Sequence, residues 1–529
     1  MSHSTSNPGA HQSQDGTTVS SWWAGVDVPK FGPLPGDMTC DACVIGAGIA
    51  GLSVAYQLSK SSSFKVVVVD DSQVGDGQTG RTSAHLTCVW DDRFCDAERT
   101  LGEEAARQVY HSHSTAIDVI EATARDEKID CDFARVDGWL FLGEGDEPKL
   151  LDEELTAAHR AGFFTAEKRD LAPAMLNNGP CLRFPNQAQF HPMKYLAGLA
   201  RVLTSRGVEI YCGDRINDVQ GTDPEKNEPA KATSERGAVV TASKAIVVCT
   251  NTPAPINDWM GVYTKQAPYR TYVIALRIPK GSVPLGLYWD TQDPYHYVRV
   301  LPAATGADVD HDLLLVGGED HKTGQAPEGA APFLKLETWA RKRFSNVGEV
   351  AFRWSGQVQE PADGVAYIGK APHKRDGVFV ATGDSGQGLT HGTIAGLLIC
   401  DLILGKTNPW ASLYDPSRKP AGSVGEFIKE NVNVAEQYAK YVTGGEVSSE
   451  QEIQPGSGAI VRDGLKKLAV YRDDGGQVHK LSPKCTHMGC IVSWNAVEKT
   501  WDCPCHGARY DARGHVIMGP AIADLSPDL

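Results

Sequence analysis

Apolar residues run almost unbroken through "DACVI" and "KVVVVD", the pattern of strands buried on both faces. Between them, "IAGLSVAYQLSK" has helical spacing to about Lys60. "AIVVCTNTP" at Ala245–Pro253 predicts another buried strand, ending in small polar residues. "GVFVATGDSGQGLTHGTIAGLLICDLILG" predicts a strand, a glycine-rich turn and a helix, and "EEAARQVYHSHSTAIDVIEATARDEKI" a long helix. "YRTYVIALRIP", "YHYVRV", "DLLLVGG" and "VAFRWSGQVQ" are different: they are β-branched and aromatic with turn residues between them, as exposed-edge or half-buried strands are. Three further short strands, "GAIVRDG", "KKLAVYRD" and "QVHKLSP", follow a polar stretch that reads as a linker with one amphipathic helix.

At 529 residues the chain is too long for one core and predicts about three compact units. A net charge of −15 argues against nucleic acid or an anionic membrane as a partner. No apolar run reaches the length of a membrane span; "TIAGLLICDLILG" is short and broken by Asp401. The opening "MSHSTSNPGAHQSQDGTTVSS" lacks a basic start followed by an apolar stretch, and reads as a disordered tail of an intracellular, cytoplasmic protein. Of 13 cysteines, nine are scattered and four crowd into Cys485–Cys505, as a metal site would require. Cys40 and Cys43 form a CxxC, but on a regular strand they face opposite ways, which argues against a redox pair.

The first strand enters Gly46-x-Gly48-x-x-Gly51, the order of a Rossmann half. Gly46 permits the tight turn, Gly48 lets backbone approach a pyrophosphate, and Gly51 lets helix and strand pack closely. The helix N-terminus then presents N–H groups to phosphate. Asp70 closes the second strand where an acid would bond a ribose hydroxyl. "GDGQTGRTSAHL" adds Arg81 and Thr82 as a second approach to phosphate, and Thr250 ends the next strand. The turn at Gly383, Asp384 and Gly388 aims a helix N-terminus where a reduced flavin carries negative charge. These stretches, over roughly Thr39–Leu404, resemble the FAD-dependent D-amino-acid oxidase-like oxidoreductases, which include glycine and sarcosine oxidases. The resemblance implies an α/β Rossmann-type FAD domain interleaved with an antiparallel-sheet α+β substrate domain. It also raises His85 as a covalent flavin attachment point.

Near the C-terminus stand Cys485-x-His487 and, fifteen residues on, Cys503-x-x-His506. Two thiolates and two imidazoles suit zinc or an iron–sulfur cluster. "CTHMGC" and "CPCHGARYD" resemble a respiratory-type Rieske [2Fe–2S] domain, all-β, over roughly Thr443–Leu529. By that resemblance Cys485 and Cys503 hold one iron, His487 and His506 the other, and Cys490 and Cys505 form a disulfide. "GHVIMGPA" matches the proline-containing loop that shields the cluster. Ala508 stands where the respiratory pattern has a serine that donates to a cluster sulfur; Tyr510 matches the other donor. Loss of a donor implies a lower potential.

The expected organisation is a tail and lead-in at 1–38, an oxidoreductase unit at 39–420, a linker helix at 421–442 and a Rieske domain at 443–529. The resemblance implies an enzyme oxidising an amine or amino acid by hydride transfer to FAD. Electrons would then pass singly through the cluster to an external one-electron acceptor. Two alternatives are an NAD(P)H-driven reductase feeding an oxygenase and a non-catalytic redox sensor. One nucleotide fingerprint speaks against the first. Candidate catalytic residues are Tyr295 and His296 in "DPYHYVRV" and His321 and Lys322 in "GGEDHKTG"; a cation there would tune a flavin.

Overall fold

The computed structural model describes residues 15–173, 179–223, 225–253, 262–303, 308–325, 329–372, 376–419, 433, 434, 437, 444–464 and 466–527, and counts and absences below are of these. An eight-stranded sheet contains, side by side, Tyr367–Lys370, Val378–Thr382, Val239–Val248, Met38–Ile45, Val66–Asp70 and Glu209–Cys212. From Val378–Thr382 to Glu209–Cys212 every pairing is parallel. Such a sheet needs cover on both faces, and the apolar runs provide it. Ala42, Val44, Val66 and Val68 enter one core cluster, while Cys43, Ile45, Val67 and Val69 enter another.

The helix Ile49–Ser61 follows the first strand, and the helix Gly388–Ile403 packs directly on it. Glycine makes that approach possible. A Cβ on Gly392 would lie 2.8 Å from the Ile49 side chain, and one on Gly396 2.8 Å from the Ser53 backbone.

A nine-stranded sheet takes the β-branched and aromatic segments, in the order Val350–Pro361, Gln266–Ile278, Asp312–Lys322, His296–Leu301, Leu287–Asp290, Ala134–Phe141, Cys181–Gln189 and His85–Leu86, with the short Glu167–Arg169 also paired to Cys181–Gln189. Its pairings are antiparallel apart from Leu287–Asp290 with Ala134–Phe141, which is parallel. One face packs against the helix Ala331–Arg343 through Phe333, Leu336 and Ala340. The C-terminal unit is built of small antiparallel sheets of three and four strands around Trp501, Tyr510 and Ile491. No helix is long and apolar enough to cross a membrane.

Two expectations fail here. The lead-in is not a free tail from Asp15 onward. Ser21 and Trp22 are wholly buried, the Trp22 indole donates to the Thr82 carbonyl at 2.7 Å, and the Arg299 guanidinium stacks over its ring. Residues 1–14 lie outside the described residues, as does most of the linker expected at 421–442. Secondly, the strand is irregular between Cys40 and Ala42, so Cys40 turns to the same side as Cys43 and both enter one apolar cluster. They are not disulfide-bonded, and burial pushes the Cys40 thiol up to about 12 and the Cys43 thiol well above the usual thiol range. Both are inert packing groups.

Candidate active site and metal centre

A cavity of about 990 Å³ opens between the two large sheets, at the upper end of what ligand and cofactor sites span (roughly 300–1,000 Å³). Both helix N-termini reach it. Neither Gly48 nor Gln387, the residues before the two helices, caps its helix with a side chain. Gly46 holds φ at +109°, and a Cβ there would lie 2.7 Å from the Cys249 carbonyl oxygen. A Cβ on Gly51 would lie 1.8 Å from the Gly46 oxygen. No other residue fits either place. Asp70 lines the cavity and pins this loop: one carboxylate oxygen accepts from Ala47 N at 2.5 Å, the other from Ser72 N and Oγ at 2.8 and 2.9 Å. Burial, with Asp71 beside it, pushes its carboxyl up to about 7.

Gly48, Thr82, Thr250, Gly383, Asp384 and Gly388 all border the cavity. Arg81 borders it too, but its guanidinium faces the C-terminal unit rather than a phosphate. It donates to Ser355 O at 2.8 Å, to Thr18 O at 2.8 Å and to Glu498 Oε1 at 3.1 Å. A buried carboxylate and two carbonyls hold it there, so it serves as a clamp.

The four catalytic candidates separate by strand alternation. Tyr295 faces the cavity, with its hydroxyl donating to the Asp91 carboxylate at 3.1 and 3.2 Å. His296 faces the opposite side, bonded to Asp290 at 2.9 Å and stacked on Trp339. His321 also lies off the cavity, its ring against Tyr272. Lys322 borders a small crevice beside His506. His296, His321 and Lys322 are therefore not cavity residues. His85 does reach the cavity, edge-on to Tyr297, and burial pushes its imidazole down to about 3.

The cavity residues that sequence reading missed are acids. Asp91, Asp320 and Glu360 come from three separate segments and meet the expected Asp384 here. Burial pushes Asp91 and Glu360 well up, Asp320 to about 7 and Asp384 to about 6. Strand alternation alone held a signal: Tyr295, Tyr297 and Asp320 occupy the faces that His296 and His321 do not.

In the C-terminal unit two loops carry the paired motifs. The first closes through Cys485 N to Cys490 O and Gly489 N to Cys485 O, both 2.8 Å; the second through Cys503 N to Ala508 O at 2.8 Å and Gly507 N to Cys503 O at 3.1 Å. A Cys490–Cys505 disulfide joins them. Cys490, Cys503 and Cys505 lie closest together as potential ligand atoms, but the disulfide removes two of these. That leaves Cys485 and Cys503, whose sulfurs interact directly, and His487 and His506, whose rings stand 5.0 Å apart. Both imidazoles are held down by burial, to about 4 and about 3, and so are neutral, as metal ligands must be. Tyr510 donates to Cys485 Sγ at 3.2 Å; Ala508 is fully buried and brings no donor. Two thiols, two neutral imidazoles and a sulfur-directed hydroxyl fit a [2Fe–2S] cluster with mixed ligands.

The units dock tightly. Gln357 Nε2 donates to Gly507 O at 2.9 Å and to Met518 Sδ at 3.2 Å. Arg270 pairs with Asp502 at 3.2 Å, Arg509 with Asp15, and Ser493 Oγ donates to Gly324 O at 3.0 Å. Met518 and Gly519, in the loop over the metal site, form part of the cavity wall.

The family of FAD dependent oxidoreductases matches residues 41–402, and the Rieske [2Fe-2S] domain matches residues 445–527. The chain is 33% identical over 509 residues to the Bacillus subtilis protein YhfW, covering 95% of this chain and 96% of that one. It is 30% identical over 138 residues to the cytochrome b6-f complex iron-sulfur subunit 1 of Nostoc sp., covering 26% of this chain and 72% of that one. Glycine oxidase from Geobacillus kaustophilus superposes with a TM-score of 0.61 at 17% identity, over 72% of this chain and 99% of that one. The fingerprint loop, the two-sheet cavity and the four metal-directed side chains thus have one explanation: this chain belongs to the FAD dependent oxidoreductase family, with a Rieske [2Fe-2S] domain fused after it.

Proposed function

We propose that the chain is a dehydrogenase that oxidises an amine or amino acid in the two-sheet cavity and delivers the electrons singly to an external carrier. When bound, FAD supplies a two-electron hydride acceptor and the cluster a one-electron carrier. Gly46, Gly48, Gly51 and Asp70 would hold the dinucleotide, and Gly383–Gly388 would present a helix N-terminus to it. Cys485, Cys503, His487 and His506 would hold the cluster. Gln357, Arg270 and Arg81 keep the domains in register. Tyr295 and Asp91 orient substrate.

The observation that carries this reading is the shared wall: Met518 and Gly519, from the loop over the metal site, line the same cavity as the nucleotide fingerprint. The test is anaerobic mixing of the holoprotein with a panel of amines and amino acids. Flavin bleaching followed by the EPR signal of the reduced cluster is expected. Reduction by NADH or NADPH alone, with the whole panel inert, would overturn the reading.

A further inference from the structure

The charge of the cavity wall is one-sided. Among the described residues no lysine lines it, and its two arginines are occupied. Arg81 is held by Glu498, and Arg215 pairs with Asp71 at 2.9 Å beside the nucleotide fingerprint. Its histidines, His85 and His391, are kept neutral by burial. Opposite stand Asp91, Asp320, Glu360 and Asp384, none of which has a basic partner in the structure. Asp91 accepts from the Tyr295 hydroxyl, Glu360 from Ser385 Oγ at 2.6 Å and Asp384 from Gln359 N at 3.1 Å. At Asp320 the Thr271 hydroxyl stands beside the carboxyl, but Oδ1 is shielded from solvent and has no donor within hydrogen-bond geometry among the described residues.

A carboxylate-bearing substrate needs a cation or a converging set of donors, commonly a bidentate arginine. No cation in this wall is free for one, the two helix N-termini belong to the dinucleotide site proposed above, and the acids repel a carboxylate whenever they ionise. A buried carboxylate oxygen left without a donor is costly and marks the place of a donor from outside the chain. Hydride loss from an amine also requires a neutral reacting nitrogen, whereas the acids favour a charged one. A substrate with two amino groups meets both demands: one nitrogen reacts uncharged while the other stays an ammonium among the acids.

Building on the amine-oxidising function proposed above, we propose that the substrate is an aliphatic di- or polyamine without a carboxylate. Asp320 and Asp91 receive its non-reacting ammonium, and Tyr295 and Tyr297 pack along its methylene chain. Asp320 thereby selects substrate by charge.

The test uses the holoprotein with 1,4-diaminobutane and spermidine against glycine, sarcosine and proline. Calorimetric binding and anaerobic flavin bleaching are measured separately. The amines are expected to bind and bleach; the amino acids are not. Asp320→Asn should weaken 1,4-diaminobutane binding at least tenfold with flavin content unchanged, and Asp320→Glu should recover part of it. Bleaching by amino acids with the amines inert would overturn the charge assignment and leave the oxidoreductase function standing. Unaltered binding in Asp320→Asn would likewise overturn it. If nothing in the panel bleaches and NADH or NADPH does, the amine-oxidising function itself falls, and this assignment with it.

Discussion

The side-chain amide of Gln357 donates to the carbonyl of Gly507, the residue after the ligand candidate His506, at 2.9 Å. Gln357 stands on a strand of the cavity wall, so one side chain ties the substrate chamber to the second metal-site loop. The fit is close: a Cβ on Gly507 would lie 2.5 Å from Pro268 and 2.7 Å from Gln357. Gln357→Leu removes this bond, the one to Met518 and the one that Gln357 Oε1 accepts from Thr323 Oγ1 at 3.2 Å, about 1 kcal/mol for each neutral bond. The expected result is an unchanged cluster EPR signal with slower reduction of the cluster after flavin bleaching. Stopped-flow absorbance measures it, and an unaltered rate would remove Gln357 from the coupling.

Glu498 is a buried carboxylate that accepts from Arg81, from Ser355 Oγ at 2.5 Å and from Thr18 N at 3.0 Å. Glu498→Gln leaves the buried Arg81 charge with Asp15, at 3.3 Å, as its one acidic partner, and costs less than the about 3–5 kcal/mol of stripping a buried charge of every counter-ion. The melting temperature should fall by several degrees, with accelerated proteolysis between the two units. A melting temperature equal to that of the native protein would show the clamp to be dispensable.

Tyr510 donates to Cys485 Sγ, and Ala508 leaves a second donor position empty of hydroxyl. A donor favours the reduced, more negative cluster, so Tyr510→Phe should lower the potential and Ala508→Ser should raise it. About 1 kcal/mol per bond corresponds to roughly 40 mV for one electron. Protein-film voltammetry reads both, and shifts of the same sign in the two variants would contradict this account.

Asp70 and Asp320 hold their protons to about pH 7 in the folded chain and Asp384 to about pH 6, mainly through burial. In the unfolded chain such carboxyls ionise near pH 4. Between these limits the unfolded chain binds fewer protons, so stability falls as pH rises; below about pH 4 their contribution is flat. The urea midpoint of flavin-depleted protein should therefore drop from pH 5 to pH 8. A midpoint that rises across this window would show that these acids are already ionised in the fold.

Asp70→Ala removes the carboxylate that holds Ala47 N and Ser72 in the fingerprint loop. Flavin occupancy should fall at least tenfold while iron content holds. Equal loss of both would indicate general unfolding.

What could be read from the chain was local. The parallel strands are apolar runs, the phosphate turn is a glycine spacing, and the metal ligands sit within two short motifs. What could not be read was distant. Arg81 looks like a phosphate ligand in "GQTGRTS", yet its carboxylate partners are Asp15, in the lead-in, and Glu498, 417 positions away. The polar "QDGTTVSS" has the composition of a tail because its partners, Glu498 and Arg509, are at the other end of the sequence. Alternation separated Tyr295 from His296 but could not say which face looked into a chamber, since the opposing sheet is set by topology. Asp91, Asp320 and Glu360 escaped notice because nothing in the local segment of each marks it as facing the chamber.

The bond between Asp15 and Arg509 spans 494 positions. On a ribosome the Asp15 segment emerges well before Arg509. The oxidoreductase unit can therefore pack Trp22 and present Asp15 long before its partner exists. The metal-binding unit, once made, meets a finished seat rather than a searching chain. A loop of that length closes cheaply, since closure entropy grows only with the logarithm of length. The order of synthesis thus favours one order of assembly, with the flavin-binding body as template and the cluster-binding domain fitted to it afterwards.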